Sequence, residues 1–219
     1  MAGSRYKKSA QTQERLLDAA EELFALQGFD VTTTRQITEK AGVRNASVNY
    51  YFETKHALGV AVLARRFDVL RVQREARLAE VEPGQGAATL RAIVNAFVLP
   101  LAELTRSGGQ GWANYNRIVA QLSASGAWPK DDYVEKVNSS AAKFVSALHM
   151  AFPEATLPDI IRGYQFMLGA VLLSFAETRR FAEMSSGLIA PEDVYERPEM
   201  LVEFLVGGLS RMLGETKES

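Results

Sequence analysis

Cysteine is missing from all 219 residues. That excludes disulfides, thiolate metal sites and cysteine nucleophiles, and it fits a reducing cytosol. Histidine is almost missing: His56 and His149 are too few for a histidine metal cluster. Net charge is close to zero, at −1, so there is no global signal for nucleic acid. Residues 1–82 carry 13 Lys and Arg against 11 Asp and Glu, and residues 83–219 carry 12 against 15. The front is therefore slightly basic and the back slightly acidic. No uninterrupted apolar run approaches membrane-spanning length. The opening residues Arg5, Lys7 and Lys8 are not followed by the apolar core of a signal peptide. Also lacking are a phosphate-cradling Gly-Lys-Ser/Thr, a Gly-x-Ser-x-Gly elbow and a His-Glu-x-x-His. Asp131, Asp132 and Glu135 cluster, but at a helix start they read as charges complementing the helix dipole. An enzyme is not indicated, and no metal or cofactor is implied.

No stretch alternates with the period of a strand, so the chain reads all-α. Apolar residues make up 47% of it, enough for a sizeable core. Gln11 to Gln27 reads as a helix with Leu16, Ala19, Ala20, Leu23 and Phe24 on one stripe. The basic residues before it read as an unstructured tail, with a DNA-contacting arm as the other reading. Thr54 is an N-cap for a long helix to about Val81, rising about 40 Å. Its arginines, among them Arg65, Arg66, Arg71, Arg74 and Arg77, interleave with Asp68, Glu75 and Glu80. They read as a solvated, partly ion-paired face. Glu82-Pro83-Gly84-Gln85-Gly86 breaks that helix. Further helices are expected over 87–105, 111–125, 131–152, 159–184 and 198–213, with Pro100 kinking or splitting the first.

The most informative stretch is Thr33 to Leu58. Thr33 with Gln36 forms a capping box. Ile37 and Ala41 give the helix one apolar stripe, and Gly42 supplies the positive φ that ends it. Val48 and Phe52 then give a second short helix its own buried side. Its other side carries Arg44, Asn45, Ser47, Asn49 and Tyr50. Two helices joined by a short glycine turn form the helix-turn-helix layout, and these side chains bond base edges or phosphates in a major groove. On the residues alone, a solvated face of an ordinary helical bundle fits equally well.

Thr33/Thr34, Ile37, Ala41-Gly42-Val43, Tyr50, Phe52, Lys55 and Leu58 resemble, in order and spacing, the DNA-binding signature of the TetR family of transcriptional regulators. The resemblance runs from about Leu16 to Leu63. Tyr51 departs from it, because many members have His there; both side chains donate to phosphate. The resemblance implies an N-terminal three-helix DNA-binding domain over 1–54, a connecting helix over 55–81, and an effector-binding and dimerisation domain over 82–219. It further implies that Thr33 or Thr34 holds phosphate, that Arg44 to Tyr50 face bases, and that Tyr51 and Lys55 grip the backbone. A cytoplasmic homodimer is implied, joined through the last two helices. Its partners would be double-stranded operator DNA and a small-molecule effector, with no membrane. The reading is a ligand-responsive regulator of repressor type. The alternative is an all-α effector-binding or protein-interaction module that does not read DNA. Trp112, Tyr115, Asn116, Val119, Phe144 and Phe166 are expected to line the effector site, because small-molecule sites combine apolar aromatic walls with a few polar groups. The same residues also suit plain core.

Overall fold

The computed structural model of the protein describes residues 2–125, 132–176 and 179–214, without the side chains of 2–6 and 179. The Arg5 side chain, Asp131 and the Trp128-Pro129 break lie outside the described residues. Every regular element that is described is a helix: α1 (Ala2–Gln27), α2 (Thr34–Ala41), α3 (Ser47–Phe52), α4 (Lys55–Ala79), α5 (Gly86–Gly108), α6 (Gln110–Ser125), α7 (Asp132–Ala151), α8 (Leu157–Phe175), α9 (Arg179–Met184), α10 (Asp193–Glu196) and α11 (Glu199–Gly214).

The local chemistry explains most helix ends. The Thr33 hydroxyl accepts from Gln36 N–H at 3.2 Å, while the Gln36 side chain accepts from Thr33 N–H at 2.8 Å. This is the expected capping box. Gly42, at φ 62°, closes α2: its N–H donates to Glu39 O at 3.1 Å and Val43 N–H donates to Thr38 O at 3.0 Å. Those two bonds form a Schellman motif, which satisfies carbonyls that a helix end leaves open. Arg15 Nη2 reaches Gly42 O at 3.0 Å, and a Cβ at Gly42 would sit 2.6 Å from that same nitrogen. The Thr54 hydroxyl caps α4 by accepting from Ala57 N–H at 3.0 Å.

The front of the molecule closes over Leu16, Ala20, Phe24, Ile37, Val48, Leu58 and Val62, all buried. The rear core joins α5, α7, α8 and α11 through Leu90, Val94, Phe97, Phe144, Leu148, Met167 and Leu209. The two ends are not joined by α4 alone, because α1 packs along α6. Glu21 on α1 is buried between two arginines of α4: Arg65 Nη2 at 2.8 Å and Arg66 Nε at 3.0 Å. The Arg66 guanidinium also lies over the Trp112 ring of α6, 5.6 Å from its centre.

Several sequence expectations change. The helix of α1 reaches back to Ala2, so Lys7 and Lys8 sit on a helix rather than in an unstructured tail. Pro100 lies buried inside α5 without splitting it. The helix expected to run to Met184 ends at Phe175, and α9 is separate. By length and composition α5 is apolar enough to cross a membrane, although Arg91, Asn95 and Glu103 interrupt its apolar run; half of its apolar window is buried against the fold.

Candidate nucleic-acid interface and ligand cavity

The interface is built from a short helix on a buried underside. Val48 is fully buried and Phe52 half-buried, which turns the opposite side of α3 outward. Asn49 and Tyr50 lie on that side, and Tyr50 is 79% exposed. Ser47 is half-buried at the first helical position. Arg44 and Asn45 precede the helix, in the exposed turn after Gly42, rather than on a helical face. The Thr38 hydroxyl, donating to Arg35 O at 3.0 Å, also lies 3.4 Å from Asn45 Oδ1 and holds that turn close to α2. Tyr51 is half-buried, its ring edge-on to Tyr50 at 4.8 Å. Thr33 is exposed and Thr34 half-buried, both at the start of α2.

Lys55 turns inward. Its ammonium donates to three carbonyls, Phe29 O at 3.0 Å, Asp30 O at 3.4 Å and Thr32 O at 3.0 Å, and lies over the Phe29 ring at 4.4 Å. An ammonium has three N–H groups, so none is left for a phosphate in this conformation. Lys55 ties the α1–α2 loop to the start of α4.

The second feature is a cavity of about 100 Å³ enclosed by α4, α5, α6, α7 and α8. Tyr115, Asn116, Val119 and Phe144 line it. Phe166 does not. It is 52% exposed on the outer side of α8, because one helix cannot turn both Phe166 and the cavity-lining Leu168, Val171 and Leu172 inward. Trp112 is also absent from the wall: it is buried towards α4, edge-on to Tyr115 at 5.6 Å and under Arg66. Gln121 donates to Ala25 O at 3.3 Å, and His149 is exposed.

Sequence reasoning missed Arg74, Tyr133, Ser140 and Tyr164, which also line the wall. Arg74 is buried, with Nε donating to Phe97 O at 2.8 Å and its guanidinium carbon 3.7 Å from the Phe97 ring centre. Burial lowers its pKa to about 10, while the neighbouring Tyr164 and Tyr115 pull the other way. Burial pushes the Tyr115 phenol up to about 12, although Arg74 and a hydrogen bond with Tyr133 oppose the rise. The signal for Arg74 was present: it follows Phe67 and Leu70 at helical spacing, on the apolar stripe of α4. Among the described residues no acidic or histidine cluster could hold a metal.

Residues 16–62 match the family model described as bacterial regulatory proteins of the tetR family. Residues 95–208, over half of the chain, match that of the tetracyclin repressor-like C-terminal domain. The chain belongs to the TetR family. Within that family, it is 37% identical over 67 residues to the regulator RutR of Escherichia coli K12, which is 31% of this chain and 32% of RutR. It is 39% identical over 66 residues to SrpR of Pseudomonas putida, 30% of this chain and 31% of SrpR. These stretches span about a third of the relatives' own length. Across nearly the full length the TetR fold is shared with solved structures. KstR2 of Mycobacterium tuberculosis, a ketosteroid transcriptional regulator, has a TM-score of 0.62 at 20% identity, covering 90% of this chain and 93% of that one. FadR of Bacillus subtilis, solved with stearoyl-CoA, has a TM-score of 0.55 at 16% identity, covering 89% and 98%.

Proposed function

We propose that this TetR-family chain is a cytoplasmic transcriptional regulator that represses by binding an inverted-repeat operator as a dimer and is released by a small molecule in the α4–α8 cavity. The observation that carries the reading is α3: an exposed polar side, led by Asn49 and Tyr50, standing on the buried Val48. A major groove accepts a helix of this kind, with Arg44, Asn45 and Ser47 at its leading end and Thr33, Thr34 and Tyr51 placed for phosphates. Dimerisation is supported by apolar side chains that the fold leaves open on α8 and α11. Ile161, Phe166, Leu173, Met200 and Phe204 are all exposed, and Gly169, Gly207 and Gly208 face open space. In such a dimer the two α3 helices would lie about 34–36 Å apart, one turn of DNA. An effector shifts the equilibrium only by preferring a conformation that changes this spacing.

Band shifts with upstream DNA, repeated across salt concentrations, test the reading. Specific binding with a steep salt slope is expected. Arg44→Ala and Tyr50→Ala should each weaken it roughly tenfold or more, about 1–3 kcal/mol, without lowering the melting temperature. Failure to bind any palindromic fragment would favour the all-α effector or interaction module.

A further inference from the structure

We propose that Arg74 is the anion-receiving group of the cavity, and that the ligand it takes is a compact, mostly apolar monocarboxylate. This rests on the effector-site reading above and specifies the chemistry of that site.

The first observation is a contrast along one helix. Arg65 pairs with Glu14, Asp18 and Glu21, Arg66 with Glu21, Arg71 with Asp68 and Glu75, and Arg77 with Glu103. Arg74, the most buried of the five, forms no ion pair among the described residues. A buried cation costs several kcal/mol unless it is compensated, so its counter-charge should be close at hand. What it has instead is one carbonyl, at Nε, and the face of Phe97. No hydrogen bond is formed by its terminal nitrogens among the described residues, yet Arg74 stands in the cavity wall.

The second observation is what surrounds it. The polar groups sharing the wall are neutral: Asn116, whose amide donates to the Thr105 hydroxyl at 3.1 Å, Ser123, Ser140 and the phenols of Tyr115, Tyr133 and Tyr164. None supplies the missing negative charge. The remaining wall is apolar, including Phe67, Phe144 and Val171. A ligand satisfying both features has one anionic end and an apolar body.

Charge and size narrow the class. One unpaired cation in a low-dielectric site matches one negative charge, and a phosphate dianion would leave an uncompensated charge buried. A planar carboxylate also suits the planar guanidinium fork. A cavity near 100 Å³ favours a small body over a long chain, and because a dry cavity of roughly 150 Å³ takes benzene, a one-ring acid would have to widen it on entry. At neutral pH a guanidinium with a pKa of about 10 is still charged, so the receiving group is ready without a proton transfer.

Benzoate, phenylacetate and hexanoate, each against its own amide, provide the test, by calorimetry and thermal shift on the full chain. At least one acid is expected to bind ten times or more tightly than its amide. Arg74→Met should abolish that preference while still admitting the neutral amide. Arg74→Lys, which keeps the charge but loses the fork, should retain part of it. Equal binding of acids and amides would overturn the anion assignment and leave an effector cavity standing. Acid binding unchanged in a folded Arg74→Met variant would overturn it too. If no probe binds while the chain still shifts operator DNA, the proposal falls and the DNA-reading function survives. Should Arg74→Met not fold, the wild-type comparison of acid with amide decides alone.

Discussion

Glu53 holds φ 64° and ψ −47°, and Thr54 N–H turns back to Phe52 O at 2.6 Å. This is a γ-turn of the hand that side chains with a Cβ avoid, and it separates α3 from α4. Strain of this kind costs about 1–3 kcal/mol, whereas the extra unfolded-state freedom of glycine costs roughly 0.5–1 kcal/mol. The first term is larger, so Glu53→Gly should raise stability by about 1 kcal/mol in thermal or urea melts. A lower melting point would show that the bend is unstrained. At this scale, legibility followed locality. Gly42 and the Thr33/Gln36 box were readable because each is specified within a few residues. Lys55 was not, because residue type assigned it to phosphate, and Arg74 was misread because its charge was weighed above its place on the apolar stripe of α4. Their partners, the carbonyls around Phe29 and the Phe97 ring, lie more than twenty residues away.

Among the described residues, α4 bears ion pairs to several neighbouring helices. Beyond its bonds to α1 it reaches α5 through Arg77–Glu103 at 2.6 Å and α7 through Lys143–Glu75 at 2.7 Å. Burial pushes the Glu75 carboxyl up, but Lys143 and Arg71 together outweigh it and hold the group below its ordinary value of 4.5. A depressed carboxyl pKa in the folded state stabilises above the unfolded value, and this is lost as pH falls through the folded one. Lys143→Met should therefore lower the melting temperature near neutral pH, by an amount worth about 0.2–1 kcal/mol for a pair whose lysine is solvent-exposed. Melts at successively lower pH should show the gap from wild type closing below about pH 4.5. A gap constant with pH would mean that the lost contact is packing, not charge. Helix starts at Thr54 and the break over 82–86 were legible from caps and Pro/Gly punctuation. The end of α8 was not, since neither glycine nor proline stands between Phe175 and Met184 to announce it. The start of α1 was also missed, because basic residues were read as tail although no proline stands there to stop a helix.

At the scale of the whole molecule, the outer sides of α8 and α11 carry the proposal of a dimer. Met200, Phe204 and Gly208 follow one another at four-residue spacing, and Phe204 is 70% exposed. Phe204→Glu would place a charge in the proposed seam without disturbing the core, so the variant should fold and sediment as a monomer. Its operator affinity should fall with it, because half-site binding loses the second contact. A variant that stays dimeric in sedimentation would move the seam elsewhere. The wide apolar character of these helices was legible; which residues face inward was not, since a helix apolar on two sides has no unique stripe.

The packing of α1 along α6 has one more consequence. The Ala25 carbonyl takes the Gln121 amide, and Arg66 is caught between Glu21 and the indole of Trp112, so close to Gly111 that a methyl there would collide. Severing the chain between Val81 and Gly86 would not release a self-sufficient front piece. It would bare the flank of α1, strip the indole from Arg66 and yield a fragment prone to clump, so the smallest soluble unit that keeps α3 presented should still contain α6.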